Sequence, residues 1–185
     1  KRDLGYGDFE VEGRMLLRNK QGQESGREFR SMTLERPEDG VGDMSILVFE
    51  KPRDVRGTAL LTHANVEPAD DDQWLYLPAV KRVKRISSSN RTGKFVSSEF
   101  SFEDLGGQEV NDYTYEWLRD EACPTMPGAQ CFVVSWAPKN AKSGYSKTIS
   151  WIDQDEYRLT QAVFYNRRGD LEKILKLTDY QQYLG

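Results

Sequence analysis

Few residues of this 185-residue chain have the types and spacing that enzyme chemistry requires. The single histidine, His63, lies in an extended run with no nucleophile motif beside it, so a general base has no recognisable partner. Glu103 and Asp104 could in principle serve hydrolysis, but adjacent side chains seldom converge on one substrate. The sequence contains no phosphate-binding loop, dinucleotide fingerprint or nucleophile elbow. It therefore predicts a binding protein without catalytic residues.

Metal binding is disfavoured by the same kind of reasoning. The acidic run at Asp70, Asp71 and Asp72 lacks the alternating oxygen spacing of a calcium loop and is typical of a solvated turn. The two cysteines have no histidines nearby, so they do not form a zinc-site pattern. We expect no metal site and no cofactor.

The cysteines Cys123 and Cys131 flank a stretch rich in turn-forming residues, Pro124 to Gly128. Such a stretch can fold back and bring the two thiols together in a disulfide, which persists only in an oxidising compartment such as the periplasm. The alternative is a pair of unpaired thiols. The sequence favours the disulfide.

A dense basic patch stands out in a chain whose formal net charge is −4. It comprises Lys81, Arg82, Lys84 and Arg85, with Arg91 and Lys94 following. Strand alternation would place Lys81 and Arg85 on one face and Arg82 and Lys84 on the other. Lipid phosphates, lipopolysaccharide phosphates or an acidic transporter surface would suit such a patch, whereas the mild overall charge gives no broad field for nucleic acid. The alternative is a solvated edge strand whose lysines prevent sheet-to-sheet aggregation.

These residues must be positioned mostly by β-strands. Alternating apolar and polar residues, bounded by Gly, Pro, Asp or Asn, predict about ten strands, few short helices and a mainly β fold, α+β at most. A single antiparallel sheet of that many strands must curl strongly, close or split. A short helix is expected to begin at Ser101, with Asp104 three residues later. The predicted strands lie in residues 9–17, 27–35, 43–50, 56–64, 74–77, 113–121, 130–137, 145–152, 157–165 and 171–178.

No linker or repeat divides the chain. It also contains no apolar run of the roughly 20 residues that a bilayer crossing needs. The length suits one domain covering residues 1–185, large enough to bury a core or enclose a cavity. We therefore expect a folded protein that does not span a membrane.

Bulky apolar residues near the middle of the chain are candidates for a ligand cavity. The strand at Trp74, Tyr76 and Leu77 carries large groups on both faces, which fits either a cavity wall or ordinary core packing. The Gly- and Ser-rich segment after it carries Phe95, Phe100, Phe102 and Leu105, which would form either a movable apolar lid or a small cluster under a loop. Within this segment we expect residues 87–98 to move.

Several ordered stretches resemble the outer-membrane lipoprotein-sorting proteins, relatives of the periplasmic lipoprotein carrier LolA and of LolB. They are Gly57-Thr58-Ala59-Leu60-Leu61-Thr62, Asp72 to Ile86 with Trp74-Leu75-Tyr76-Leu77-Pro78 at its centre, and Ser98-Glu99-Phe100-Ser101-Phe102-Glu103-Asp104-Leu105. The likeness extends from about residue 7 to 183, and agreement of several motifs in order is more specific than any one alone.

This resemblance implies a LolA-like half-open β-barrel whose concave apolar side, covered by helices, receives acyl chains. It implies a periplasmic location, with a signal peptide removed. It also implies a non-enzymatic carrier or chaperone for lipoproteins or lipids, with an inner-membrane transporter or an outer-membrane acceptor as partner. The alternative is a module that senses envelope lipids or assists a transporter. Family members usually begin with a helix before Gly7 and continue beyond Gly185, so we expect the cover over the cavity to be incomplete here.

Overall fold

The computed structural model describes residues 7–36, 41–65 and 70–182. These residues form eleven antiparallel strands, which we number in chain order. The strands are β1 (Asp8–Arg18), β2 (Glu24–Leu34), β3 (Val41–Lys51), β4 (Ala59–Asn65), β5 (Asp72–Leu77), β6 (Arg82–Ile86), β7 (Tyr113–Ala122), β8 (Gln130–Pro138), β9 (Tyr145–Asp153), β10 (Leu159–Asn166) and β11 (Leu171–Lys176). Short 3₁₀ helices span Pro78–Val80, Ser88–Asn90, Phe95–Ser97, Glu103–Leu105 and Val110–Asp112.

The chain divides into two compact units, the first ending at Val110 and the second beginning at Asn111. In the first unit, β1 to β6 follow one another as a meander in a single six-stranded sheet. Its first hairpin is closed by Asn19, whose Oδ1 accepts hydrogen bonds from the backbone N–H groups of Gln21 and Gln23. Gly22 takes a positive φ of 80° in this turn, a conformation that favours glycine.

One face of the six-stranded sheet holds the core of the first unit. Because side chains alternate along a strand, Phe49, Leu60 and Leu75 from three neighbouring strands lie on the same side. Residues 87–107, which we call the covering segment, pack Phe95 and Phe102 against them. The rings of Phe49 and Phe95 stack with centroids 5.6 Å apart, and Phe95 is fully buried.

The second unit is a five-stranded sheet in the order β11-β10-β9-β8-β7. The carboxylate of Asp153, at the end of β9, is held by several hydrogen bonds. The Asp153 carboxylate accepts hydrogen bonds from the backbone N–H groups of Asp155, Glu156 and Arg158 and from Nε of Arg158 at 3.0 Å. Burial of Asp153 opposes its ionisation, but these hydrogen bonds prevail and lower its pKa below the usual range.

The prediction of a mainly antiparallel β fold with about ten strands is confirmed, and each predicted strand overlaps an observed one. The one observed strand that was not among the ten predicted is β6, which follows β5 after a short turn. The strands pair in two sheets, where the sequence predicted one curved sheet, because the covering segment between β6 and β7 contains no strand. The single-domain boundary of residues 1–185 stays a prediction.

The short helix expected near Ser101 is a 3₁₀ turn at Glu103–Leu105. The backbone N–H of Ser101 donates to Oδ2 of Asp104, and the backbone N–H of Asp104 donates to Oγ of Ser101. This reciprocal pair is the capping pattern that the spacing suggested. Among the described residues, no helix is long and apolar enough to span a membrane.

Candidate functional site

The second face of the six-stranded sheet carries a continuous band of apolar side chains. The cross-strand register aligns Met32 with Ile46, Ile46 with Leu61 and Leu61 with Trp74, so one apolar row crosses four strands. The row is flanked by Glu10 on β1 and by Arg85 on β6. We call the band the apolar face; its residues are Met32, Leu34, Met44, Ile46, Val48, Leu61, Trp74 and Tyr76.

The apolar face is open to solvent over much of its area. The relative exposures of Met32, Leu34 and Tyr76 are 40%, 50% and 37%. A groove of about 530 Å³ lies over β1 to β4, with Met32, Leu34, Met44, Ile46 and Leu61 in its lining. Apolar side chains in this arrangement offer area for burial rather than directed hydrogen bonds.

Two of the predicted cavity residues, Trp74 and Tyr76, lie on the apolar face. The indole of Trp74 meets the imidazole of His63 edge to face, with ring centroids 5.1 Å apart. His63 thus packs at the margin of the same face.

The other predicted cavity residues do not join them. Leu77, Phe95, Phe102 and Leu105 belong to the core on the opposite face of the sheet. Phe100 lies in the covering segment with its side chain 37% exposed. The seven residues therefore do not line one cavity, because the sheet separates them, and for Phe95 and Phe102 packing under a loop is what the structure shows.

Buried polar contacts attach the covering segment to the sheet. The carboxylate of Asp71 accepts hydrogen bonds from the Arg91 guanidinium at 3.0 Å and from the backbone N–H of Gly107 at 2.9 Å. Gln73 is fully buried, and its Nε2 donates to the carbonyl oxygen of Phe102 at 2.9 Å. Residues near both ends of the segment are thereby held to the sheet, and the movement of residues 87–98 stays a prediction.

The residues of the predicted basic patch differ in their positions and in their partners. Arg85 forms an ion pair with Asp72, and the hydrogen bond from Arg85 lowers the pKa of that carboxyl. Arg82 and Lys84 lie on the opposite side of β6 from Val83 and Arg85. Lys81 precedes the strand, in a turn with a positive φ of 49°, so the predicted strand alternation fails at this one residue.

The cysteines Cys123 and Cys131 form a disulfide, with Cα atoms 5.1 Å apart. Within the loop they close, the Thr125 hydroxyl lies 2.9 Å from the carbonyl oxygen of Leu177 and 3.1 Å from that of Thr160, and these two acceptors share its single proton. The loop is thus tied to two other parts of the second unit, and the disulfide fits an extracytoplasmic location.

Sequence reasoning missed most of the apolar face. Met32, Leu34, Met44 and Ile46 were read only as parts of strands, although both sides of β3 are apolar. A strand that is apolar on both sides must be covered on both faces or bind something on one of them. The two-sided apolar run from Ile46 to Phe49 in β3 was the signal that could have found the site.

Comparison with known proteins places this fold among solved structures. A family profile described as an uncharacterized protein matches residues 42–185. No curated protein matches the chain significantly. The structure of a LolA superfamily protein from Nitrosomonas europaea superposes with a TM-score of 0.72 at 20% identity, covering 98% of this chain and 74% of that one. At that identity the likeness shows the fold.

Two relatives are similar in sequence as well as structure. A domain from Vibrio parahaemolyticus that has been assigned to the outer membrane lipoprotein-sorting proteins is 44% identical, with a TM-score of 0.90, and the alignment covers 98% of this chain and 74% of that one. A DUF1329 family protein from Desulfovibrio piger is 30% identical, with a TM-score of 0.83, covering 91% of this chain and 70% of that one. Such identities over most of both chains show common ancestry.

Proposed function

Because this chain belongs to the LolA-like family of outer-membrane lipoprotein-sorting proteins, we propose that it is a non-enzymatic periplasmic carrier that binds the acyl chains of lipoproteins or lipids on the apolar face. Its partners would then be the membrane components that deliver and receive this cargo, an inner-membrane transporter and an outer-membrane acceptor.

The observation that carries the proposal is the apolar row from Met32 to Trp74. Four aligned side chains on four adjacent strands make a surface that continues across the sheet, as an elongated hydrocarbon ligand requires. The groove beside this row, at about 530 Å³, lies within the roughly 300–1,000 Å³ typical of small-molecule sites.

The chemistry of the face suits a carrier that must also release its cargo. Each methylene that leaves water contributes about 0.8 kcal/mol, so affinity grows with chain length and needs no specific polar contact. Met32 and Met44 supply flexible, polarisable side chains that adapt to ligands of different shape. The aliphatic side chains of the face provide neither a nucleophile nor a proton donor, and we assign the face no catalytic step.

The test is mass spectrometry of an organic extract from protein purified from a bacterial periplasm without detergent. The proposal predicts stoichiometric lipid or acylated peptide in the wild-type extract and its loss in an Ile46→Glu, Leu61→Glu variant. The control for added charge is Ile174→Glu, which places one carboxylate on a 51% exposed isoleucine of β11, away from the apolar face. Circular dichroism must first show that each variant is folded.

An empty wild-type protein, or cargo retained by the folded double variant, would contradict the proposal. An empty protein that captures an envelope protein would instead support the alternative function, a lipid-sensing or transporter-accessory module. The lipid content of the purified protein therefore distinguishes the two functions.

A further inference from the structure

The turn after β5 and the first half of β6 form a surface strip of alternating chemistry, Val80-Lys81-Arg82-Val83-Lys84, which we call the basic strip. Strand β6 is the last strand of the six-stranded sheet, and its only partner in that sheet is β5. The two valines are 59% and 65% exposed, among the highest values for large apolar residues of the described chain. The strip therefore presents cations and hydrocarbon together at one edge of the sheet.

The cations of the strip have no charged or hydrogen-bonding partner among the described residues. The side chains of Lys81, Arg82 and Lys84 form no ion pair or hydrogen bond there, whereas nearby Arg85 pairs with Asp72 and Arg91 with Asp71. Three adjacent unneutralised cations in a chain of net charge −4 concentrate positive potential at one place.

The strip is continuous with the apolar face. Val83 is the cross-strand partner of Tyr76, and both side chains lie on the same side of the sheet as Trp74. Arg82 and Lys84 project from the other side of β6. The edge is thus amphipathic, with apolar side chains leading from Val83 towards the candidate cargo site on one side of the sheet and two of the cations on the other.

We infer that the basic strip docks this protein on the surface of a bilayer rich in anionic phospholipid. Each lysine or arginine near such a surface strengthens binding electrostatically, while exposed valines enter the interface between headgroups and acyl chains. The net charge of the whole chain is −4, so a local cluster of cations is needed to bind such a surface. The inference rests on the proposed function, because docking here would bring the Tyr76 end of the apolar face beside the bilayer.

An acidic protein would also attract the cations, but the strip itself offers such a partner only two valines, separated by Lys81 and Arg82, as apolar area to bury. Docking on lipid requires only that short apolar groups reach the interface while the long basic side chains extend to phosphates. The test treats a protein partner as the contrary outcome.

The experiment is flotation of the full chain with vesicles of phosphatidylethanolamine and phosphatidylglycerol, compared with vesicles of phosphatidylcholine alone. The strip variant is Lys81→Asn, Arg82→Gln, Lys84→Gln, in which asparagine tolerates the positive φ of residue 81. The control is Arg14→Gln, Lys20→Gln, Lys176→Gln, which removes the same charge from three exposed positions elsewhere. A further variant, Val80→Ser, Val83→Ser, tests the apolar contribution.

We expect wild type and control to float with anionic vesicles at low salt, and binding to fall as salt approaches physiological strength. The strip variant should bind the anionic vesicles at least roughly tenfold more weakly than wild type does. The valine variant should lose the part of the vesicle binding that persists at high salt. Equal flotation of strip variant and control, or no flotation of wild type, would overturn the inference. A wild type that binds an acidic envelope protein but not anionic vesicles would overturn it too.

Binding of a fluorescent fatty acid in vesicle-free solution separates this inference from the proposed function. The strip variant should bind that probe as well as wild type does. If no protein binds the probe while the vesicle results hold, the carrier proposal fails and surface docking stands.

Discussion

Trp74 and Leu75 are consecutive in β5, yet their side chains lie on opposite faces of the six-stranded sheet. Leu75 is buried in the core beneath the covering segment, whereas Trp74 lies on the apolar face beside His63. A strand with bulky residues at successive positions therefore serves two purposes here, one side stabilising the fold and the other forming the candidate cargo site. This separation decides which substitutions should affect stability and which should affect binding.

Phe95 contributes to stability from the covered face. Phe95→Ala should lower the free energy of unfolding by about 3–5 kcal/mol, because a fully buried ring leaves a cavity among Phe49 and Phe102. Urea unfolding followed by circular dichroism measures the change. The control is Phe100→Ala in the same segment, where a partly exposed ring should cost about 1 kcal/mol or less. Equal losses from both substitutions would mean that Phe95 does not anchor the segment.

The fold class and the positions of ten strands were predictable because the alternation in each strand is local information. The division of Trp74 from Phe95 was not, since it depends on which face the covering segment packs against, and that is set by contacts such as Gln73 with Phe102. The partner of Arg85 was likewise hidden, because Asp72 is brought opposite it only by the register of β5 and β6. Sequence thus identified Trp74, Tyr76 and Phe95 as residues of interest, but neither their grouping nor the rest of the apolar face.

Asp71 and Arg91 should hold the covering segment in place. Both side chains are largely buried, at 8% and 15% exposure, so Asp71→Asn should cost about 2–4 kcal/mol by leaving the guanidinium without its charged partner. Hydrogen exchange should then rise in residues 87–107 more than in β3 or β4.

The neighbouring exposed pair, Asp72 with Arg85, supplies the control for that experiment. Its double-mutant cycle should give a coupling energy below about 1 kcal/mol, because Arg85 is 69% exposed and solvent screens the pair. A coupling between Asp71 and Arg91 no larger than this would rule out their anchoring role.

Asp153 should make stability depend on acid pH. Its pKa is lowered in the folded protein, so the unfolded chain, with an aspartate pKa near about 3.9, binds more protons in this range. The stability it contributes is therefore fully present above about pH 5 and is lost as pH falls through the folded pKa. Urea unfolding between pH 7 and pH 3 should show a shallower decline for Asp153→Asn than for wild type.

Asp155→Asn is the matched control for this prediction, since the Asp155 side chain is exposed and its carboxylate accepts none of the four hydrogen bonds at Asp153. Its pH profile should follow that of wild type. Parallel profiles for Asp153→Asn and wild type would show that this carboxylate is not a source of the acid sensitivity.

The disulfide between Cys123 and Cys131 closes a short loop and should stabilise the folded protein chiefly by restricting the unfolded chain. For a sequence separation of 8 residues, the loop-closure relation gives about 2–3 kcal/mol. Urea unfolding with and without a phosphine reductant measures this difference, and the reduced protein should unfold at lower urea. The Cys123→Ala, Cys131→Ala variant is the control, since its midpoint should not respond to reductant. A wild type whose midpoint is the same under both conditions would show that the loop is held by Thr125 and its two carbonyl partners rather than by the covalent bond.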